Sequence, residues 1–578
     1  MSQSGAGGAE ALNWLNYEPN PRYPAVGGSV QKGWTVALAD LPHGTATLAV
    51  DGPVMLDWDG VLTALAGVLR RRGDPLVCLD MREQVAPWAQ TVKRTSSAAL
   101  LDDPDFERLG EGSVADVFDH LPSAQPPEGG VLLVVGPGAA LVRHDVLWYA
   151  DLPKRYAEAE VTAGRGRNLG QQPGDGDATT KRLFYVDWPL LDRHRDALAP
   201  RIARFVDTQD PDSPASLDGD TLRRTLATLG AQPFRTRPTF NTTSWGGSWA
   251  QRRLGMGVDQ ANTALGYELI APESGVLIGD ASACVEVPFQ LLVACHPVEV
   301  LGSEVTARFG ASFPVRFDYL DTVDGGNLSV HCHPEPAYMS DVFGWAYPQH
   351  ESYYVMAGAP GSKIYLGLHD DADVEAFQRA AMMAQDRGVP FDIEQYVQTF
   401  TAEQHQLYLV PAGTPHGSSQ GNVVLEVSAT PYLYSLRIYD WLRTDAQANQ
   451  RPVHVEHAFR NLAGARSGPR VRADLVREAV TLREADGWRE ELLGGGGELF
   501  FEVRRVVIEG DAPAPDDTAG GFHILNVVEG EGVLIETAAG LRHHLAYAET
   551  IVLPAAVGAY KLHRIGLACT RLVKSLVP

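Results

Sequence analysis

The chain has no CxxC pair. Its five cysteines, Cys78, Cys284, Cys295, Cys332 and Cys569, are odd in number and scattered across 578 residues. That excludes a disulfide framework and fits the reduced thiols of a cytoplasmic protein. Cations are scarce too: Lys plus Arg number 48 against 72 Asp plus Glu, a net charge of −24. No broad basic surface is therefore available to a phosphate backbone, and nucleic acid is not an expected partner. An anionic substrate would need a few local cations or a metal. No apolar run approaches the roughly 18 residues of a membrane span, so no membrane partner is expected. Residues 1–20 lack a cationic stretch followed by an apolar block, and no secretory signal is expected. With 44% hydrophobic and 21% charged residues the chain is globular, and its length suggests several domains.

Short apolar runs at 47–50, 76–79, 131–135, 146–149 and 183–186, bounded by Gly, Pro or Asp, predict buried strands. Between the first two, residues 58–71 place Val61, Leu62, Leu65, Val68 and Leu69 on one helical face. Strand–helix alternation predicts a parallel α/β sheet over 1–189. Residues 163–180 read as an exposed loop in which Arg165, Arg167 and Lys181 could touch an anion. A helical connector is expected over 190–232. From 233 onward the texture changes to short β runs with Gly, Pro and Asn punctuation, among them 283–293, 313–320, 328–332, 352–355, 406–410 and 423–427. This is the cadence of antiparallel barrels: one over 233–450 with a helical insertion at 370–402, and a second over 451–578.

The residues most suited to chemistry lie in the first barrel. In Leu328-Ser-Val-His-Cys-His-Pro334, His331 and His333 are two apart on a strand and point to one face. Glu351 opens a returning strand 18 residues later. His416 ends the tight turn Pro411-Ala-Gly-Thr-Pro-His416. Three imidazoles and a carboxylate suit a borderline divalent ion; zinc is the first choice, with iron, manganese and nickel open. His350 should point to the opposite face from Glu351. The second barrel has His523, His543, His544 and His563 but no HxH, and its turn 554–558 has no histidine, so it is expected to be metal-free.

These two halves form the cupin metal motif, and the chain resembles the class I mannose-6-phosphate isomerases, which are zinc cupins. The resemblance rests on Trp245-Gly-Gly247, Tyr267-Glu-Leu-Ile270, Phe309-Gly310 with Phe313-Pro314, the HxH strand, Glu351-Ser-Tyr-Tyr-Val-Met356, the His416 turn, and Arg437-Ile-Tyr-Asp-Trp441 with Arg443. Val528-Glu-Gly-Glu-Gly532 and Ile551-Val-Leu-Pro-Ala555 are similar to that family's second cupin. The resemblance implies His331, His333, Glu351 and His416 as metal ligands, with His331 in place of the usual Gln, and Arg437 as the catalytic arginine. Three positions depart from it. Gln349 replaces a lysine two residues before the glutamate, Leu433 replaces an acid four residues before the arginine, and Asp318 falls where a basic residue is frequent, with Arg316 nearby. The front domain is similar to nucleoside kinases in its strand–turn–helix order, yet it lacks GxxxxGK[ST], and nothing there would cradle a triphosphate.

The expected architecture is therefore multidomain: a nucleoside-kinase-like α/β domain without a P-loop, followed by two cupin barrels. The expected function is metal-dependent aldose–ketose isomerisation of a sugar or sugar phosphate, mannose 6-phosphate foremost, through a cis-enediol. Glu426 and Asp440 are candidates for the base that moves the proton. A non-catalytic carbohydrate-binding or sensing cupin and an Fe(II) cupin oxygenase stand as alternatives. Oligomeric state is not legible.

Overall fold

The computed structural model describes residues 17–445 and 448–578; most of the stretch 1–20 lies outside the described residues. In the N-terminal unit five strands run parallel, in the spatial order Arg204–Asp207, Val146–Asp151, Ala46–Asp51, Val131–Val135, Leu76–Asp80. Ala215–Asp218 and Gln31–Lys32 extend one edge antiparallel. Ala46–Asp51 and Val131–Val135 are buried from end to end, which is why they read as unbroken apolar runs rather than alternations. Helix Trp58–Arg72 starts where the Asp57 side chain accepts from Gly60 N and stops at Gly73, whose φ of 82° ends the helical path. Its Trp58, Val61, Leu65 and Leu69 pack in one core with Leu48 and Leu133 of the sheet.

Two expectations change in this unit. Residues 183–186 are helical rather than a strand: Thr179 caps the first turn at Arg182, and helical turns continue to Leu198. Leu183, Tyr185 and Val186 are all buried, and a run buried on every side does not reveal its period. Residues 190–232 are no mere connector either. They supply the strands Arg204–Asp207 and Ala215–Asp218 and the helix Gly219–Leu229, all part of the α/β unit. Four-residue strands that each end in Asp are too short to show alternation.

The central unit is built from two antiparallel sheets. The first, of six strands, is ordered Leu407–Val410, Glu351–Gly358, Asn422–Ala429, Val315–Asp321, Leu265–Leu269, Thr239–Asn241; the second, of five, is ordered Val397–Thr401, Lys363–Leu368, His416–Ser418, Val330–Cys332, Leu436–Tyr439. Helix Val374–Arg387, capped by Asp373, is inserted between Lys363–Leu368 and Val397–Thr401. Residues 283–293, expected as one β run, divide into strand Cys284–Pro288 and helix Phe289–Cys295. Strands Gly275–Gly279 and Cys284–Pro288 form a small sheet that takes in Arg22–Tyr23 from the front of the chain.

The C-terminal unit also has two sheets, of six and four strands. Its interior is filled by Val506, Ile508, Leu525, Val533, Ile551 and Leu572, among others. It docks on the central unit through Phe313 against Phe522, with ring centroids 4.6 Å apart, and through the buried Arg235–Glu549 pair at 2.6 Å.

The N-terminal and central units meet over a polar seam. Glu286, 3% exposed in its side chain, accepts from Arg155 at 2.8 and 2.7 Å and from Arg237 at 2.7 Å. Helix Lys154–Thr162 is thereby fixed against the central unit.

Candidate metal centre

Strand Val330–Cys332 pairs with His416–Ser418 on one side and Leu436–Tyr439 on the other, placing His331 opposite both His416 and Arg437. All three side chains therefore lie on one face of the five-stranded sheet. His333 follows at the strand's end on the same face, while Cys332 points away and is buried. The His416 turn is tied to this strand because Gly413 N donates to His333 O at 2.9 Å. Gly413 sits at φ 80°, and a Cβ there would meet Asn461 O at 2.8 Å, so the turn requires glycine.

Glu351 reaches across from the facing sheet. Its Oε1 lies 3.0 Å from His333 Nε2 and its Oε2 lies 3.2 Å from His416 Nε2. Among the described residues these three form the one group whose ligand atoms fall within 4.8 Å of each other. His331 stands beside the group, its ring centroid 6.1 Å from that of His416. All three members of the group are buried.

The donor atoms fit a cation. His416 Nδ1 contacts Thr414 O at 2.9 Å and can only donate to a carbonyl, so in the neutral ring Nε2 carries a lone pair facing the Glu351 carboxylate. Two electron-pair donors facing each other at 3.2 Å are mutually repulsive unless a positive charge lies between them. Two ligand atoms about 2.1 Å from a tetrahedral ion lie about 3.4 Å apart. His333 buries both ring nitrogens without a well-formed hydrogen bond. Burial lowers the basicity of His333 and pushes that of His331 far down, with His416 and Arg437 adding to it at His331. Neutral imidazole is the form that ligates. With a proton on His333 or His416 in place of the ion, that positive charge outweighs burial, and the Glu351 carboxyl is held well below the usual range.

The neighbouring polar groups position these donors. Gln349 Nε2 donates to Glu351 Oε1 at 2.5 Å. Arg316 donates to Ser428 Oγ at 2.7 Å and to Glu426, and its Nη2 lies 3.4 Å from Glu351 Oε1. Glu426 and Asp318, opposite each other on adjacent strands, are buried. Burial, then the carboxylates of Asp318 and Glu351, raise Glu426 well above the ordinary carboxylate range. Burial raises Asp318 to about 6.

These groups open on a cavity of about 1100 Å³ that Arg437, Tyr267 and Trp245 also line. Arg437 Nη1 donates to Pro452 O at 2.7 Å and does not pair with Asp440. Asp440 is taken up by Ser329, Arg443 and Arg451, so it is an anchor of the wall. His350 turns away as expected and accepts from Ala412 N at 3.0 Å. Lys181 lines the cavity but caps the carbonyls of Leu100 and Asp103, and Arg165 pairs with Glu160 at 2.7 Å. Sequence reasoning did not anticipate that the N-terminal unit contributes Asp105, Glu158 and Tyr185 to the same cavity. They lie in stretches with no motif.

Residues 33–231 match a family described as a domain of unknown function (DUF8485). The mannose-6-phosphate isomerase of Streptococcus mutans serotype c (strain ATCC 700610 / UA159) is 26% identical over 232 residues, 40% of this chain and 67% of that protein. Among solved structures, the mannose 6-phosphate isomerase of Bacillus subtilis matches 59% of this chain and 99% of its own, at 20% identity and a TM-score of 0.48. A zinc-bound mannose 6-phosphate isomerase matches 60% and 99%, at 14% identity and a TM-score of 0.45. The five cysteines are unpaired, and no helix among the described residues is long and apolar enough to cross a membrane.

Proposed function

We propose that the chain is a divalent-metal-dependent aldose–ketose isomerase, with mannose 6-phosphate and fructose 6-phosphate or a close sugar relative as its substrates and zinc as its ion. The observation that carries this reading is the convergence of His333, Glu351 and His416 from two facing sheets onto a roomy polar cavity. The names of its relatives support the same chemistry. His331 is proposed as a fourth ligand, since it shares the face and can swing toward the group. An ion held there supplies a Lewis acid for the two neighbouring sugar oxygens.

The chain's own groups perform the proton chemistry. Isomerisation removes a proton from the carbon next to the carbonyl and returns it to the adjacent carbon through a cis-enediol. Glu426 is the candidate for that shuttle, being buried in the cavity wall, raised in basicity and held by Arg316 and Ser428. Arg437, opposite His331, faces the charge that develops on the substrate oxygens. We read the front domain as a nucleoside-kinase-like α/β unit without phosphoryl transfer. Helix Trp58–Arg72 is closed off at its start by the Asp57 carboxylate, which repels a phosphate from that N-terminus. The whole is proposed to work in the cytoplasm. The replacement of a lysine by Gln349 favours one other reading, a sugar-binding protein without turnover.

The deciding experiment is elemental analysis of the purified protein, followed by coupled assays with mannose 6-phosphate and with mannose. Proton exchange at C2 in deuterated water is followed by NMR alongside them. Bound zinc with turnover and exchange is expected. Full metal content with neither turnover nor exchange would falsify the isomerase reading, and bound iron would redirect it to oxygen chemistry.

A further inference from the structure

We propose that the N-terminal domain roofs the sugar cavity and that its Asp105 accepts a hydrogen bond from a substrate hydroxyl; this rests on the isomerase reading. The cavity that holds the metal group takes in Asp105, Glu158, Lys181 and Tyr185 as the front domain's side of its lining. That side is fixed in place. Asp103 accepts from Asp105 N at 2.9 Å and Phe106 N at 2.7 Å, while its other oxygen pairs with His457 of the central unit at 2.7 Å. Phe106 packs against His454 and Phe343, at centroid distances of 4.6 and 5.4 Å. Leu109 N donates to Phe343 O at 2.9 Å, and Tyr185 donates to Leu433 O at 2.8 Å. A loop anchored through Asp103, Phe106 and Leu109 presents Asp105 in one position.

The Asp105 carboxylate is underused by the protein. Its one ion-pair contact among the described residues is His454 Nε2 at 3.7 Å, beyond hydrogen-bond range. Its side chain is 28% exposed and lines the cavity. Arg437 and Lys181 are the cations near it, and both are already bound to backbone carbonyls. A carboxylate so placed accepts a hydroxyl hydrogen and repels a phosphoryl oxygen. The part of the sugar that reaches the roof is therefore a hydroxyl, and the phosphate of a phosphorylated substrate lies elsewhere in the cavity.

The test uses the full chain loaded with zinc and the variants Asp105→Ala and Asp105→Asn. Metal content, kcat and KM are measured with mannose 6-phosphate, with mannose and with their monodeoxy analogues. Losing a hydrogen bond to a charged acceptor raises KM about tenfold or more in D105A. D105N, which keeps shape and an acceptor oxygen, shows a smaller rise, and kcat and zinc content stay within twofold. One monodeoxy analogue, lacking the hydroxyl that Asp105 receives, reacts equally with wild type and D105A. An unchanged KM, or an equal loss for every analogue, overturns the proposal. If the wild-type enzyme holds zinc yet turns over neither sugar, the isomerase reading has failed. Calorimetric sugar binding then decides for Asp105: weaker binding by D105A upholds it, and equal or absent binding overturns it.

Discussion

Gln349 Nε2 donates to the very oxygen of Glu351 that stands 3.0 Å from His333. An uncharged amide here orients the carboxylate without neutralising it, as a buried ammonium would. Groups behind metal ligands typically set affinity by 10–100-fold. Gln349→Leu is expected to weaken zinc binding by about that factor, read by competition with a chromogenic chelator. Stability without metal should change by less than about 2 kcal/mol, since Leu fills similar volume. An unaltered zinc affinity would mean that Glu351 is held by Arg316 and strand geometry alone.

His333→Ala removes one of the three converging donors. The tight group is then reduced to one imidazole and one carboxylate, and with His331 standing outside it the ion loses its closest enclosure. The variant should purify with less than about a tenth of the wild-type metal and lose isomerisation in parallel. His331→Ala is the informative companion, because His331 lies outside the tight group. Metal loss as complete as for H333A would establish it as a ligand, and retained metal with weakened turnover would make it a wall residue.

Much of this centre was legible because its signals are local. Two histidines two apart on a strand must share a face, and a Pro-x-Gly turn must bend, whatever surrounds them. The roof was not legible. Asp105 sits more than 200 residues before His333 in a loop without periodicity, and only the docking of Asp103 on His457 and Phe106 on Phe343 brings it to the cavity. The fold shows the same division. Helix Trp58–Arg72 and strand Val131–Val135 follow from their own patterns, whereas 183–186 and 204–207 took their form from what they pack against.

Asp151, at the end of a central parallel strand, is buried, and burial raises its carboxyl to about 7; Arg195 opposes this, while Asp207, Asp192 and Glu286 add to it. The folded state therefore holds a proton that the unfolded chain releases near the ordinary aspartate value of 3.8. Its contribution to stability is complete below pH 3.8 and is lost progressively as pH rises to about 7. Asp151→Asn should flatten the fall in urea midpoint across that window and leave it nearly unchanged at its acid end. An equally steep fall in the variant would assign the pH dependence to another group.

The C-terminal barrel encloses a charge cluster of a different kind. Lys574, 1% exposed, lies 2.7 Å from Asp516 and also contacts Glu490, while Tyr560 joins Asp516 to His523. Aliphatic side chains such as Val506, Leu525 and Leu572 make up the adjoining core, so each charge depends on its partners. Burial would raise Asp516, yet Lys574 and its neighbours hold it down at about 2. Removing Lys574 leaves Glu490 and Asp516 with only the partly exposed Arg483, which contacts both, and Arg504 as cations, so Lys574→Ala should cost up to about 3 kcal/mol by denaturant titration. Lys574→Met combined with Glu490→Gln and Asp516→Asn, which removes the three buried charges together and leaves Arg483 to solvent, should recover most of that loss. Zinc content and isomerisation should be the same in the triple variant as in wild type, because the cluster lies in a separate barrel from His333 and Glu351. A fall in zinc content there would show that the C-terminal barrel's interior is coupled to the metal group.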